Sequence, residues 1–425
     1  MTPPRPGESD HAATPIPPPL RADVRRRLLR WFDRHRRDLP WRRRAGDAYA
    51  QWVAEIMLQQ TRVDTVLERY EPFLRRFPTV TALANASFDD VLKHWEGLGY
   101  YRRIRHLHQA ARVVRDDGGR IPTTAPKLRR LPGIGDYTAA AIASIASGRR
   151  EAAVDGNVAR VIARLCGVAD DVLSPSGRRR IRALAEQLVP FKRPGDFNQA
   201  WMDLATAVCK PRSPDCPACP LRAVCVAAAT GTTDRLPVRI DRTRVLDVTA
   251  LVGVFVHARL LLLRRRPDTG LWAGLWELPT VELDADTRAA AARDADARIE
   301  IGAGTEVGAD THVCAHRSAR VVRQLALRRL ARRHGITLAR PPEETATIVH
   351  RLTHRAFRFI VHVAPVRRVR RAGATRDPHT GVWLTRSDIE NAAVSTAHRR
   401  ILRAVEPALA DLTAGHPNPA VAGAP

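Results

Sequence analysis

The sequence lacks any uninterrupted apolar run long enough to cross a bilayer, although hydrophobic residues make up 44% of the chain. It also lacks a leader in which positive charge is followed by an apolar stretch. No internal repeat is visible. We therefore expect a soluble, intracellular protein without a membrane partner.

Acidic residues and lysines are scarce relative to arginine. The chain has 44 acids against 70 basic residues, which gives a net charge of +26. Such a positive field attracts polyanions, including nucleic acid. Nearly all of the basic residues are arginines, a skew that a GC-rich genome also produces, so the charge alone favours a nucleic-acid partner only modestly.

The length of 425 residues and the change of pattern along the chain predict two domains between disordered ends. A proline-rich stretch, 1–20, has too little apolar content to pack. Apolar residues then recur at helical spacing and predict an all-helical domain over 21–229. The pattern stops in a polar linker, 230–246. An α+β domain over 247–410 and a disordered tail, 411–425, follow.

The evidence for strands comes from the second half of the chain. The segments VTALVGVFV and RLLLLRRR have the apolar content of strands. Phe357 and Phe359 begin a period-two alternation that is typical of a sheet. A helical stretch, 320–333, makes this half α+β.

Four of the six cysteines lie within seventeen residues: Cys209, Cys216, Cys219 and Cys225. A reducing cytosol disfavours disulfides, which leaves a metal site. Zinc usually takes two C-x-x-C pairs, whereas this loop has one and is stiffened by prolines. The spacing therefore favours an iron–sulfur cubane over zinc. Cys166 and Cys314 stand apart, and we interpret both as small buried hydrophobic residues.

Basic residues surround this loop, namely Lys210, Arg212 and Arg222. They suit contacts to DNA phosphates, which would give the loop a docking role. The alternative is that they only solvate an exposed loop.

A candidate phosphate-binding turn occurs at 131–144, LPGIGDYTAAAIAS. Gly133 and Gly135 permit a tight turn and leave backbone N–H groups exposed at a helix N-terminus, where the helix dipole favours an anion. A G-x-G pair alone is weak evidence, because many helix–helix turns contain glycine.

Two acids are candidates for chemistry. Glu55 lies within a strongly apolar helix, where burial would raise its pKa and make it a proton donor near neutrality. Asp155 begins an amphipathic helix, a position that keeps a carboxylate anionic, as a reaction through a sugar cation requires. The alternative for Glu55 is an ordinary surface glutamate, and the alternative for Asp155 is a helix N-cap without a role in chemistry.

Together these motifs resemble the helix-hairpin-helix DNA glycosylases that include endonuclease III. Within that group, the segments WVAEIMLQQTRV, WEGLGYYRR and VDGNV and the α+β second half are similar to the adenine DNA glycosylase (MutY) family. The resemblance covers about residues 21 to 405. It implies a mostly α-helical glycosylase domain with an iron–sulfur loop, followed by a MutT-like (Nudix-fold) α+β domain.

The resemblance also implies a reaction. The enzyme would extrude adenine paired with 8-oxoguanine or guanine and hydrolyse its N-glycosidic bond. Glu55 resembles the acid that protonates adenine and Asp155 the carboxylate that stabilises the sugar cation, while Tyr137 and Asn157 resemble the groups that position them. Endonuclease III relatives have a lysine where this chain has Tyr137, so we expect a monofunctional enzyme. Ala159 replaces a lysine of some relatives, which should weaken borohydride trapping further.

Further positions match DNA-contacting and lesion-contacting residues of the family: Leu58, Gln59, Gln60, Tyr100, Gly133, Gly135, His350, Leu352, Thr353 and His354. For Tyr100 a core position is the alternative. Thr353 stands where serine is common, so the hydroxyl is retained. The stretch after Gly270 runs into DADTRAAAARDADAR and lacks the glutamate-rich helix that holds magnesium in Nudix hydrolases, so we expect the second domain to bind and not to hydrolyse.

The resemblance thus implies one 4Fe–4S cluster and a partner that is double-stranded DNA bearing adenine opposite 8-oxoguanine or guanine. We expect a monomer associated with the nucleoid of a bacterial cytoplasm. Two alternatives remain: an endonuclease III-like enzyme acting on oxidised pyrimidines, and a non-catalytic iron–sulfur DNA-binding protein. Tyr137 and the second domain argue against the first alternative, and the pair Glu55 and Asp155 argues against the second.

Overall fold

The structure is a computed structural model of the chain and describes residues 15–240, 245–283, 311–352, 354–369 and 381–413, with side chains omitted for 311–320 and 413. The chain divides into two compact units, and the main division falls within 241–244. Within the described residues, no helix has the length and apolarity of a membrane span.

The first unit is built from helices, as predicted. They are α1 (Pro18–His35), α2 (Ala48–Leu58), α3 (Val63–Arg76), α4 (Val80–Asn85), α5 (Phe88–His94), α6 (Arg102–Asp116), α7 (Ala125–Leu128), α8 (Asp136–Ser147), α9 (Gly156–Cys166), α10 (Pro175–Leu188), α11 (Pro194–Ala207) and α12 (Val226–Ala229), with 3-10 turns at Pro40–Arg44 and Arg222–Val224.

Helix α1 corrects the predicted N-terminal boundary. It begins at Pro18, because proline suits the first turn of a helix, where its missing N–H costs nothing. Ile16, just before it, is buried. Residues 15–20 therefore belong to the described structure, contrary to the prediction of disorder through residue 20. Residues 1–14 lie outside the described part of the chain.

Two packing contacts position the candidate site. Helix α11 packs on α1 and α9, and its Phe197 and Trp201 are fully or almost fully buried. Helix α8 is rich in alanine and packs on α2, and its residues from Thr138 to Ser144 are all buried. Small side chains permit close helix approach, so α8 brings its first turn beside the middle of α2.

The predicted linker is largely part of the first unit. Leu236 is buried, and its carbonyl oxygen accepts a hydrogen bond of 2.8 Å from Arg164 Nε. The carbonyl oxygen of Val238 accepts one of 3.1 Å from the Val172 N–H. Because these backbone groups are paired with the helical unit, the segment from 230 to 240 belongs to it. The prediction of a linker over 230–246 is wrong for this segment.

The second unit contains one mixed sheet. Its strands are β1 (Leu246–His257), β2 (Leu260–Arg265), β3 (Trp276–Glu277), β4 (Thr280–Glu282), β5 (Ile336–Leu338), β6 (Glu343–Arg351), β7 (Arg355–Val369) and β8 (Val382–Leu384). The main order is β3-β2-β1-β7-β5, with β4 on β1, β6 on β7 and β8 on β2. Only β1 and β7 run parallel among these pairs. The predicted alternation along β7 is confirmed, since Phe357, Phe359, Val361 and Val363 share one core.

Helices accompany this sheet: α13 (Thr311–Arg333), α14 (Arg386–Asn391), α15 (Thr396–Ala404) and α16 (Glu406–Thr413). The helical prediction for 320–333 is confirmed. Helix α16 extends through residue 413, so the predicted disordered tail is wrong at 411–413, and residues 414–425 lie outside the description.

Candidate active site

Glu55 lies in the middle of α2, which packs against α8. The helix starts at the N-cap Asp47, whose side chain accepts from the Ala50 N–H, and its residues from Tyr49 to Met57 are buried. Glu55 is 4% exposed. The Tyr137 hydroxyl, in the first turn of α8, donates a hydrogen bond of 3.0 Å to Glu55 Oε2. The predicted burial of Glu55 is confirmed.

This environment shifts the titration of Glu55. The pKa of Glu55 is raised to about 7, chiefly because the carboxyl is buried. The hydrogen bond from Tyr137 and the positive charge of Arg42 each lower this pKa, and the negative charge of Asp155 raises it. Asp155 is thus close enough to Glu55 for their charges to interact, and a substantial fraction of Glu55 is protonated near neutral pH.

Asp155 is the N-cap of α9, and its surroundings are polar. Its Oδ1 accepts from the N–H groups of Asn157, at 2.9 Å, and Val158, at 2.7 Å. Its Oδ2 accepts from Asn157 Nδ2 at 2.9 Å. Asp155 is therefore the helix N-cap that the alternative interpretation predicts, and its charge also acts on the nearby Glu55.

The turn between α7 and α8 uses its two glycines differently. Gly133 has φ +76°, and a Cβ there would lie 2.5 Å from His106 Cβ, so only glycine fits. Gly135 is the N-cap of α8 with φ −87°, a conformation open to other residues. A Cβ on Gly135 would meet no atom within 4 Å. The space before this helix N-terminus is open, as an approaching phosphate requires.

The predicted DNA-probing residues follow α2 and precede α6. Leu58 ends α2, and the Gln59 side-chain amide donates to Thr138 Oγ1 at 3.1 Å, so part of Gln59 is engaged within the protein. Gln60 is exposed, and Tyr100 is 47% exposed. Both have left-handed backbones, with φ 56° and 46°. The core alternative is wrong for Tyr100 and applies instead to Tyr101.

The four clustered cysteines line one pocket. All four are partly buried, and none of the four forms a disulfide. Apolar side chains including Val161, Leu165 and Leu204 also line the pocket, together with a few polar side chains such as Arg164. Arg164 Nη1 donates to Cys209 Sγ at 3.4 Å. Among the described residues, no group of three or more His, Cys, Asp or Glu side chains is arranged to hold a single metal ion.

The remaining predictions for the cysteine loop concern its surroundings. Lys210, Arg212 and Arg222 are exposed, as expected of residues that approach phosphates or solvent. Cys166 packs against the helical core, as predicted, but it is partly and not fully buried. The side chain of Cys314 lies outside the described part of the chain.

The predicted lesion-contacting residues of the second unit lie around the turn from β6 to β7. The ring of His350 is 6.0 Å from that of Trp272. Leu352 donates its N–H to Arg355 O at 2.7 Å and packs partly against the core. The carbonyl oxygen of His354 accepts from the Leu246 N–H at 3.0 Å. Thr353 lies outside the described residues.

Comparison with known proteins identifies the family. A family model described as "HhH-GPD superfamily base excision DNA repair protein" matches residues 53–191, and one described as "NUDIX domain" matches 251–404. The human protein named adenine DNA glycosylase is 34% identical over 435 residues, covering 88% of this chain and 72% of that protein. The chain belongs to the adenine DNA glycosylase family.

Other members agree with this assignment. The mouse adenine DNA glycosylase is 35% identical over 445 residues, covering 91% of this chain and 79% of that protein. The one from Buchnera aphidicola subsp. Schizaphis graminum is 30% identical over 257 residues, covering 60% and 74%. The resemblance to this family and the predicted fold class, helix-hairpin-helix glycosylase plus Nudix domain, are confirmed. The chain is a DNA glycosylase of base excision repair.

Sequence reasoning did not identify Arg160, which connects the cysteine loop to Asp155 within the helical unit. Arg160 Nη1 donates to Asn157 Oδ1 at 3.0 Å, and Asn157 in turn holds Asp155. Arg160 Nε donates to Cys209 O at 2.9 Å, and Nη2 to Ala205 O at 2.9 Å. One buried guanidinium therefore connects the cysteine loop to Asp155. The sequence feature that could have identified this role is the position of Arg160 on the apolar face of α9, three residues after Asn157.

Proposed function

We propose that the chain is a monofunctional glycosylase that excises adenine paired with 8-oxoguanine or guanine. The observation that carries the proposal is the pair Glu55 and Asp155. One carboxyl is buried, with a pKa near 7, and the other is hydrogen-bonded by three N–H donors, within reach of the first electrostatically. Pairs of carboxyls in contrasting environments divide acid and charge-stabilising roles.

The mechanism assigns one role to each group. A duplex adenosine must first leave the helix, because its N7 and its sugar cannot otherwise meet both acids. Neutral Glu55 donates its proton to adenine N7 as the bond from N9 to C1′ breaks and the base leaves with the bonding electrons. The carboxylate of Asp155 stabilises the cationic sugar. Glu55, now anionic, accepts a proton from the water that attacks C1′.

The phenol of Tyr137, which contacts Glu55 and stands where endonuclease III relatives have a lysine, supports the monofunctional assignment. A Schiff base with the sugar needs a primary amine, and Tyr137 supplies a phenol instead. Burial raises the pKa of Tyr137 well above its usual range, so the hydroxyl remains protonated and serves as a hydrogen-bond donor to Glu55.

Substrate preference tests the proposed function directly. Single-turnover assays with duplexes bearing adenine opposite 8-oxoguanine, adenine opposite guanine, and thymine glycol should give release of adenine from the first two alone. Strand breaks should form only after alkali treatment, and borohydride should trap no adduct. Cleavage of the thymine glycol duplex, with a trapped adduct, would instead support the endonuclease III-like alternative.

The pH dependence tests the acid. With Glu55 protonated below its pKa of about 7, the single-turnover rate should be high there and fall about tenfold per unit at higher pH. The hydrogen bond from Tyr137 lowers the pKa of Glu55, so Tyr137→Phe should raise that pKa and move the falling limb to higher pH. If the falling limb of the pH profile of Tyr137→Phe stays in place or moves to lower pH, the assignment of that limb to Glu55 is contradicted.

The cysteine pocket suits a 4Fe–4S cluster. Cys209, Cys216, Cys219 and Cys225 line one pocket whose other walls are largely apolar, and they do not converge on a single ion. Four thiolates are the ligand set of such a cluster, which would tie the loop to α9 and α11 as a docking surface. Purified protein should contain about four iron and four sulfide atoms per chain. Stoichiometric zinc without sulfide would overturn this interpretation.

The second unit is proposed to read 8-oxoguanine through His350, Leu352, Thr353 and His354. His350, Leu352 and His354 lie around the turn from β6 to β7. In the sequence, Thr353 retains the hydroxyl of the serine that is common at this position in the family. In this role the second unit increases the preference for 8-oxoguanine over guanine opposite adenine, while the helical unit carries out the reaction.

A further inference from the structure

The second residue of α6, Arg103, holds the end of α2. Its Nη1 donates hydrogen bonds to Ile56 O at 2.7 Å and Met57 O at 3.0 Å, and also to Gln59 O. The last carbonyl groups of an α-helix have no partner within the helix, and a cation at that end is favoured by the helix dipole. Arg103 therefore satisfies the carbonyl end of the helix that carries Glu55.

The other terminal nitrogen of Arg103 reaches a second segment. Nη2 donates to Leu98 O at 2.9 Å and to Thr61 Oγ1 at 3.0 Å. The hydroxyl of Thr61 also donates to Leu98 O at 3.3 Å. The guanidinium lies 5.4 Å from the ring centroid of the buried Trp95. One planar group thus joins the segment after α2 to the segment before α6.

These two segments carry Gln60 and Tyr100, the exposed side chains that are predicted to contact DNA. Gln60 lies between Gln59 and Thr61, which both bind Arg103. Tyr100 lies between Leu98 and Arg103 itself. Both Gln60 and Tyr100 have left-handed backbones, which non-glycine residues rarely adopt and which persist only when the surrounding structure holds them.

We propose that Arg103 is a positioning residue that holds Gln60 and Tyr100 in the conformation in which they probe the mispair. The proposal rests on the proposed function, which assigns these two residues to DNA. Arg103 acts through the backbone, and both of its terminal nitrogens are hydrogen-bonded to protein oxygens. A lysine would keep the charge but lacks the planar fork that reaches both segments.

A double-mutant cycle tests the proposal on the full-length protein. Arg103→Lys and Arg103→Gln are each combined with Tyr100→Ala, and affinity is measured for a duplex with adenine opposite 8-oxoguanine. We expect either Arg103 variant to weaken binding about tenfold in the native background and much less when Tyr100 is already alanine. Arg112→Gln, an exposed arginine of the same helix, is the matched control and should show no coupling to Tyr100.

Hydrogen exchange supplies a readout that does not depend on activity. Amides of residues 59–61 and 98–101 should exchange faster in Arg103→Lys, while those of α8 stay protected. The pH limb assigned to Glu55 should keep its position, because burial is the largest cause of its raised pKa and the packing of α2 on α8 does not depend on Arg103.

Three results would each overturn the positioning role of Arg103. They are additive losses of affinity in the double-mutant cycle, unchanged hydrogen exchange in residues 59–61 and 98–101, and unchanged affinity in Tyr100→Ala. Global loss of protection in Arg103→Lys would also overturn it, by making Arg103 a general stability residue. A native protein that binds the mispair but does not cleave it would contradict the proposed function instead, while the affinity cycle and exchange would still report on Arg103.

Discussion

Glu55→Gln should lower the single-turnover rate of adenine release by on the order of a thousandfold. Glutamine has nearly the volume of glutamate and can still accept the hydrogen bond from Tyr137, so the buried position should remain filled. It has no acidic proton for the leaving base and cannot accept one from water. Affinity for the mispair should change little, because the substitution removes chemistry and leaves the DNA-facing surface intact.

The measurement requires matched controls. Glu71→Gln removes a partly exposed carboxylate that pairs with Arg44 at 3.4 Å, and its rate should stay close to that of the native chain. Rates and dissociation constants for the same duplex should be compared among the three proteins. A Glu55→Gln rate within tenfold of the native rate would show that another group protonates adenine.

Asp155→Asn should lower the same rate by on the order of a hundredfold to a thousandfold. Asparagine is as good an N-cap as aspartate, so α9 should keep its start and the protein its stability. What is lost is the negative charge that stabilises the cationic sugar. Because the charge of Asp155 raises the pKa of Glu55, its removal should also lower that pKa and move the falling limb of the pH profile to lower pH.

The control for this variant is the same change at another N-cap. Asp47 caps α2 by accepting from the Ala50 N–H at 2.9 Å, and Asp47→Asn should leave the rate near the native value. Melting temperatures of both variants show whether the caps hold. A large loss of stability in Asp155→Asn, with a proportionate loss of rate, would reduce Asp155 to a helix cap.

Several features of the site could be predicted because they depend on local patterns. The apolar surroundings of Glu55 are encoded by the period of α2, and the position of Asp155 by the start of the amphipathic α9. The tight turn at Gly133 and the clustering of the cysteines are also local in sequence. Each of these signals spans fewer than about twenty residues, within which chain geometry limits the possible contacts.

Other features depend on acceptors that are distant in the chain. Arg160 donates to carbonyl groups 45 and 49 residues away, and Arg103 to carbonyls 44 to 47 residues earlier. An arginine near an apolar helix face has the same local signature whether it binds solvent or holds two segments together. The attachment of 230–240 to the helical unit was missed for the same reason.

By itself the sequence determined the residue types at the site, the helices and strands that carry them, and the family to which the chain belongs. The tertiary structure decided that Glu55 is a carboxyl with a pKa of about 7. That value requires removal of water by the packing of α2 and α8, together with the field of Asp155 from a third helix. Desolvation and charge interactions depend on distance in space, which sequence separation does not specify.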